Sequence, residues 1–278
     1  TKFNIIDTPG SDDFVGGVYS AFSVAENGIL LVNATQGVEV GTEIFARHAV
    51  KHQKPLIIAV NQLDHEKQDW QATIDSLKAT FGNKVVLVQY PVNPGVEFDT
   101  FIDVLKMKMY KFKDENGTRE SFEIPEEYKE EALALHQQLV EMAAENDENL
   151  METFFDKGQL TEDEIRAGMK VGMQLGDILP VFCLSAKKDI GVKRIMEFTI
   201  NAGVTPDKVE NKLKDGASVK VDSEGPTAIF VYKTAQEQHL GDVSYFKVMS
   251  GKLVEGMDVV NPTHRVSVYV GFVDVQKE

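Results

Sequence analysis

The stretch Leu56-Ile57-Ile58-Ala59-Val60-Asn61-Gln62-Leu63-Asp64 sets the reading of this chain. Five consecutive apolar residues, without alternation, suit a strand covered on both faces, as strands of parallel sheets are. The run ends in polar residues, and such a run recurs. Phe3-Asn4-Ile5-Ile6, Gly28-Ile29-Leu30-Leu31-Val32, Val85-Val86-Leu87-Val88 and Leu179-Pro180-Val181-Phe182-Cys183-Leu184 are all short and apolar. Between them lie segments with the period of a helix: Thr42 to His52 places Ile44, Phe45 and Ala49 on one face, and Trp70, Ile74, Leu77 and Phe81 do the same. Val192 to Ala202 follows the last strand as a further helix. Strands alternating with amphipathic helices predict a doubly wound α/β sheet.

In such a sheet ligands bind at the carboxyl ends of the strands, so the residues leaving each strand carry the chemistry. The first run leaves as Asp7-Thr8-Pro9-Gly10, the third as Asn61-Gln62-Leu63-Asp64 and the last as Ser185-Ala186-Lys187. Asp-x-x-Gly suits a nucleotide triphosphatase. Its carboxylate can hold Mg²⁺ through water, and the glycine N–H can approach a γ-phosphate because no Cβ stands in the way. Asn-x-x-Asp suits guanine, whose ring N–H and exocyclic amine can both donate to one carboxylate. Each loop alone reads equally as a turn or a helix cap. Their occurrence in this order favours the nucleotide reading.

Hydrophobic residues make up 42% of the 278 and charged residues 26%, the proportions of a globular protein. No apolar run is long enough to span a bilayer, and Thr1-Lys2-Phe3-Asn4 lacks the pattern of a signal peptide, so a cytoplasmic protein with no membrane partner is expected. The single cysteine, Cys183, excludes an intramolecular disulfide and predicts a buried thiol. Asp and Glu number 44 against 29 Lys and Arg, a net charge of -15 that repels phosphate backbones and argues against DNA. Much of the acid lies between Glu120 and Glu152 and reads as a solvated helical face. His48, His52 and His65 lack the spacing of a metal site and read as exposed helix or loop residues, and His239 as a turn residue.

The alternation breaks after Val88, and residues 93–176 read as an insertion. Within it, Tyr128, Ala132, Leu135, Leu139 and Met142 recur at helical spacing behind Pro125, a first-turn residue. Thr161 and Glu164 form a capping box ahead of Ile165, Met169 and Met173, read as core. After Thr205-Pro206 a polar linker, 206–225, leads to β-branched runs at Ala228-Ile229-Phe230-Val231-Tyr232, Val243-Ser244-Tyr245-Phe246-Lys247-Val248 and Val266-Ser267-Val268-Tyr269-Val270. Residues 226–278 are too few to close a barrel, which predicts a partial one.

With these residues in view, the chain resembles the translational GTPases, most closely elongation factor G. Asp7-Thr8-Pro9-Gly10-Ser11-Asp12-Asp13-Phe14 is similar to that family's switch II. Met107-Lys108-Met109-Tyr110, Ile124-Pro125-Glu126-Glu127-Tyr128 and Glu148-Asn149-Leu150-Met151-Glu152 resemble the insertion of elongation factor G, which the elongation factor Tu branch lacks. Val243 to Gly251 resembles the family's second domain. The resemblance implies a P-loop-GTPase-like core over 1–92 and 177–205, incomplete because the phosphate loop and switch I are missing ahead of Thr1. It further implies an α+β insertion subdomain over 93–176, separable from the core, and a partial β-barrel over 226–278. GTP or GDP and Mg²⁺ are the implied cofactors of the complete protein, with the metal on Asp7; the chain as given is expected to bind none. The implied partner is the ribosome, through its RNA and proteins.

The resemblance assigns guanine-nucleotide contacts to Asp7, Thr8, Pro9, Gly10, Asn61, Gln62, Asp64, Ser185, Ala186 and Lys187. Two positions depart from it. Ser11 stands where the family carries a histidine that orients the attacking water, and Gln62 stands where it carries the lysine of Asn-Lys-x-Asp. A serine hydroxyl is shorter and brings no cation, so a degenerate catalytic position and weakened hydrolysis are expected. The expected function is therefore an elongation factor G-like translation factor in translocation with impaired GTPase activity. An active ribosome-dependent GTPase of translocase, ribosomal protection or release factor type, and a non-ribosomal interaction scaffold, are the alternatives.

Overall fold

A computed structural model describes residues 1–114, 116–209, 211–212, 218–239, 241–261 and 266–269. The chain divides into two compact units, Thr1–Val204 and Thr205–Glu278. In the first, a 3₁₀ turn at Asp12–Phe14 leads into α1 (Val15–Val24), β1 (Gly28–Asn33), α2 (Val40–Lys51), β2 (Leu56–Asn61), α3 (Trp70–Phe81) and β3 (Val85–Leu87). Then come β4 (Gln89–Pro91), β5 (Thr100–Asp103), β6 (Lys108–Phe112), β7 (Arg119–Phe122), α4 (Glu126–Ala144), α5 (Glu148–Lys157) and α6 (Glu162–Leu175). The unit closes with β8 (Leu179–Cys183) and α7 (Val192–Ala202).

The central sheet is parallel, in the order β1-β2-β8-β3. Its strands alternate between two cores. Ile57, Ala59 and Phe182 enter one, and Leu56, Ile58, Val60, Val181 and Cys183 the other. Both faces of β2, β8 and β3 are covered, which is why their sequences are apolar without alternation. Cys183 is fully buried, and burial, with the Asp103 charge behind it, pushes its thiol pKa well above the ordinary value.

One expected strand does not form. Phe3-Asn4-Ile5-Ile6 has no regular structure, and Ile5 is 77% exposed. A strand exists only where a neighbour satisfies its backbone groups. Among the described residues none does so for 3–6, and β1 is paired with β2 alone; Ile29 and Leu31, on one face of β1, are exposed. Two helix starts also differ by a residue or two. α2 begins at Val40 because Glu39 and Thr42 form a reciprocal capping box, and Pro125 is the cap of α4 rather than a first-turn residue. The box of Thr161 and Glu164 opens α6 as expected.

A second, antiparallel sheet in the order β4-β5-β6-β7 joins β4, just ahead of the insertion, to the insertion's own β5, β6 and β7, which α4, α5 and α6 follow. The insertion lies in the same compact unit as the parallel sheet. Ile102, Val104, Ala132, Leu139 and Met169 share one core with Ile57, Phe182 and Phe198. Across that junction Arg194 of α7, 1% exposed, donates from Nε to Asp103 Oδ2 of β5 at 2.5 Å. Glu197, one turn further along α7, pairs with Lys106 at 3.4 Å and with Arg119 at 3.1 Å.

The second unit holds antiparallel pairs: β9 (Asn211–Lys212) with β10 (Ser218–Val219), β11 (Ala228–Glu237) with β12 (Gly241–Ser250), and β13 (Asp258–Asn261) with β14 (Val266–Tyr269). The stretch expected as a partial barrel holds the β11–β12 and β13–β14 pairs, and the stretch expected as linker holds a 3₁₀ turn at Pro206–Lys208 and the short β9–β10 pair. Val270 and the residues after it lie outside the described residues. His239 sits at φ 72°, between β11 and β12.

Candidate functional site

Parallel register brings the carboxyl ends of β1, β2 and β8 to one edge, with Asn33 opposite Asn61 and Val60 opposite Cys183. The loop after β2 is tied to both neighbours. The Asn61 carbonyl accepts from Ala34 N at 2.9 Å, and its Oδ1 accepts from Ala186 N at 3.0 Å. Leu63 N donates to Leu184 O at 3.3 Å, and the Leu63 side chain is wholly buried. The loop is therefore anchored at its middle. Gln62, exposed and at φ 64°, and Asp64, half-buried, flank that anchor. The left-handed region costs a non-glycine residue of order 1 kcal/mol, which the buried leucine beside it offsets.

The loop after β8 closes on itself. Ser185 N donates to Ile190 O and Ile190 N to Ser185 O, both at 3.0 Å, and Lys188 N donates to Ser185 Oγ at 3.3 Å. Ser185 is buried while Ala186 and Lys187 stand exposed at the tip. Gly191, at φ 88°, lets the chain pass so close to the Cys183 carbonyl that a Cβ would collide with it. α7 begins immediately afterwards.

The structure thus brings Asn61, Gln62 and Asp64 together with Ser185, Ala186 and Lys187. Among the described residues no hydrogen bond joins Asp7-Thr8-Pro9-Gly10 or Ser11 to them. Those residues precede α1, exposed except for a half-buried Thr8, and the Ser11 carbonyl accepts from Phe14 N at 3.0 Å. The joined loops offer a carboxylate and a short stretch of backbone at one strand edge, a donor and acceptor set that fits a purine carrying two adjacent N–H groups. Asp7 belongs to no group of three or more His, Cys, Asp or Glu among the described residues; a lone carboxylate of this kind would hold Mg²⁺ only together with water and substrate phosphate.

Residues 1–204 match the elongation factor Tu GTP binding domain family. The chain belongs to that family. It is 33% identical over 279 residues to the elongation factor G-like protein of Thermotoga maritima, an alignment that covers 99% of this chain and 40% of that protein. A crystal structure from Thermus thermophilus superposes with a TM-score of 0.79 at 26% identity, covering 95% of this chain and 37% of its own. The chain spans about two fifths of the length of the relatives it matches. It is a translational GTPase chain related to elongation factor G, and its parallel sheet is of the P-loop GTPase type. Complete members of the family use GTP or GDP with Mg²⁺.

Sequence reasoning missed Lys188, in the loop after β8, and the turn 93–99, which touches both loops from the insertion side. Lys188 Nζ donates to Val96 O at 2.6 Å, and Gly95 N donates to Leu63 O at 2.7 Å. The only signal in the sequence was the position of Lys188 next to Lys187. No helix among the described residues is long and apolar enough to cross a membrane.

Proposed function

We propose that this chain serves an elongation factor G-like translation factor that acts on the ribosome in translocation, in the cytoplasm, with GTP hydrolysis weakened at two positions. In this reading Asp64 accepts from the ring N–H and exocyclic amine of guanine, Asn61 fixes the neighbouring loop through Ala186, and Lys187 extends its stem beside the base. Ser11 takes the place of the water-orienting residue and supplies neither reach nor charge. Mg²⁺, when bound, neutralises phosphate charge; Asp7 is its proposed ligand. Residues 1–92 and 177–205 are the proposed nucleotide core, 93–176 the insertion whose acidic helices meet ribosomal protein, 206–225 the linker and 226–278 part of the second domain.

The observation that supports this reading is the hydrogen bond from Ala186 N to Asn61 Oδ1, which joins the two proposed guanine loops although Gln62 follows Asn61 directly. The same bond supports a second reading, an active ribosome-dependent GTPase, because a pocket kept in order favours a nucleotide still in use. Titration of the gene product carrying this sequence with GDP and ADP tests the base assignment. GDP is expected to bind at least about 100-fold more tightly, since an unpaired Asp64 rejects adenine, and the preference is expected to vanish in Asp64→Asn. Equal affinity for GDP and ADP in the parent would overturn the assignment.

A further inference from the structure

The turn 93–99 is built to be rigid. Asn93 Nδ2 donates to Glu97 O at 2.8 Å and to Asp99 Oδ1 at 3.0 Å, and its Oδ1 accepts from Thr100 N at 3.0 Å. Phe98 is wholly buried and shares a core with Leu63. From this fixed shelf two bonds run outward. Gly95 N donates to Leu63 O, between Gln62 and Asp64, and Val96 O accepts from Lys188 Nζ, next to Lys187; Phe98 O also lies 3.4 Å from that ammonium. Each base loop is therefore held from its free side by the same turn, while the Ala186–Asn61 bond holds them to each other. The turn lies inside the insertion, so the insertion is in direct bonded contact with the loops that face the base.

We propose that the turn 93–99 and Lys188 are positioning elements for guanine, fixing the spacing between Asp64 and the 185–188 loop, and hence that a force on the insertion changes selectivity for the base. This rests on the guanine assignment made above. Lys188 does not touch the base; it acts through the loop it closes. A charged donor to two carbonyls is stronger than a neutral one, and its loss leaves Val96 O and Phe98 O without that cation. Gly95 sits at φ 121°, where an L side chain is strained, yet no atom stands within 4 Å of the place its Cβ would take. Gly95→Ala therefore perturbs the turn through the backbone alone.

The experiment uses the gene product carrying this sequence and compares GDP with inosine diphosphate, whose base lacks the exocyclic amine, together with hydrogen exchange at Ala186 without nucleotide. In Lys188→Met and in Gly95→Ala the preference for GDP is expected to fall about tenfold, the worth of one well-aligned hydrogen bond to a charged group, and Ala186 to exchange faster. Lys188→Arg, which can still donate to Val96 O, is expected to restore both. A variant that loses thermal stability but keeps the parent's preference and exchange rate overturns the proposal, because the turn is then only a structural support. A parent that binds GDP and ADP equally overturns the guanine assignment and this proposal with it, whereas a selective parent with unchanged variants overturns the proposal alone.

Discussion

His48 shows how much one side chain can differ from its sequence reading. It reads as an exposed helix residue, but it stacks on Tyr19 of α1 with ring centroids 4.1 Å apart and meets His52 at 4.4 Å and Phe22 at 5.6 Å. No local pattern reveals this, because Tyr19 comes from another helix. Burial lowers the His48 pKa below its ordinary value, and the charges of His52 and Lys51 lower it further. The sign follows. The unfolded chain binds this proton more readily than the folded one, so the stability held by neutral His48 is present above about pH 6.5 and is lost as pH falls through that value toward the lower folded pKa. Urea unfolding at pH 7.5 and pH 5.5 is expected to show the acid sample less stable, and His48→Phe, which keeps a ring against Tyr19, to narrow the difference. An equal pH dependence in that variant would remove His48 from the account.

Elements were legible where their causes are local. The capping box of α6 is written within four residues, and the cover on both faces of β2 is written in its unbroken apolar run. Phe3 to Ile6 has the same composition and no strand, because pairing depends on a neighbour that composition does not describe. The junction between insertion and core was equally hidden: Asp103 and Arg194 are 91 residues apart, and each sits in a run that reads as ordinary strand or helix. Around that pair Gln89 Nε2 lies 3.4 Å from Asp103 Oδ2, and Lys106 N donates to Asp103 Oδ1 at 3.0 Å. Burial works against the Arg194 charge, but the Asp103 carboxylate and its hydrogen bond outweigh it and raise the pKa. Arg194→Met is expected to cost about 3–5 kcal/mol by leaving a buried carboxylate without its cation, and Arg194→Met with Asp103→Leu to recover most of that loss. Deleting 93–176 removes both Asp103 and half of a shared core, so the remainder is expected to lose cooperative unfolding by calorimetry. A deletion variant with an intact thermal transition would restore the picture of a separable subdomain.

At the scale of the whole molecule, the meeting of the loops after β2 and β8, the proposed guanine loops, was legible because residues that leave neighbouring parallel strands share an edge, whatever the chain between them does. The support behind those loops was not, since the turn 93–99 reaches them only through three-dimensional packing. Hydrolysis is a property of the whole assembly in the same sense. In the proposed reading it needs the base held at Asn61 to Asp64 and 185–187 and the water aligned near position 11, and Ser11 and Gln62 would weaken one requirement each. Restoring Ser11→His alone is expected to raise ribosome-stimulated hydrolysis little, because the nucleotide remains loosely held beside Gln62. Gln62→Lys alone is expected to improve nucleotide retention and leave the water unaligned. Together they are expected to exceed the product of the single effects, by a coupling of about 1 kcal/mol, since both act through one bound ligand. A single-turnover GTPase assay with ribosomes, run on the parent, both single variants and the double, measures that coupling. Effects that simply multiply would mean that the two loops act independently. A parent already as fast as ordinary members of the family would end the impaired reading, and Ser11 would then have to be compensated by a group on the ribosome or elsewhere in the protein.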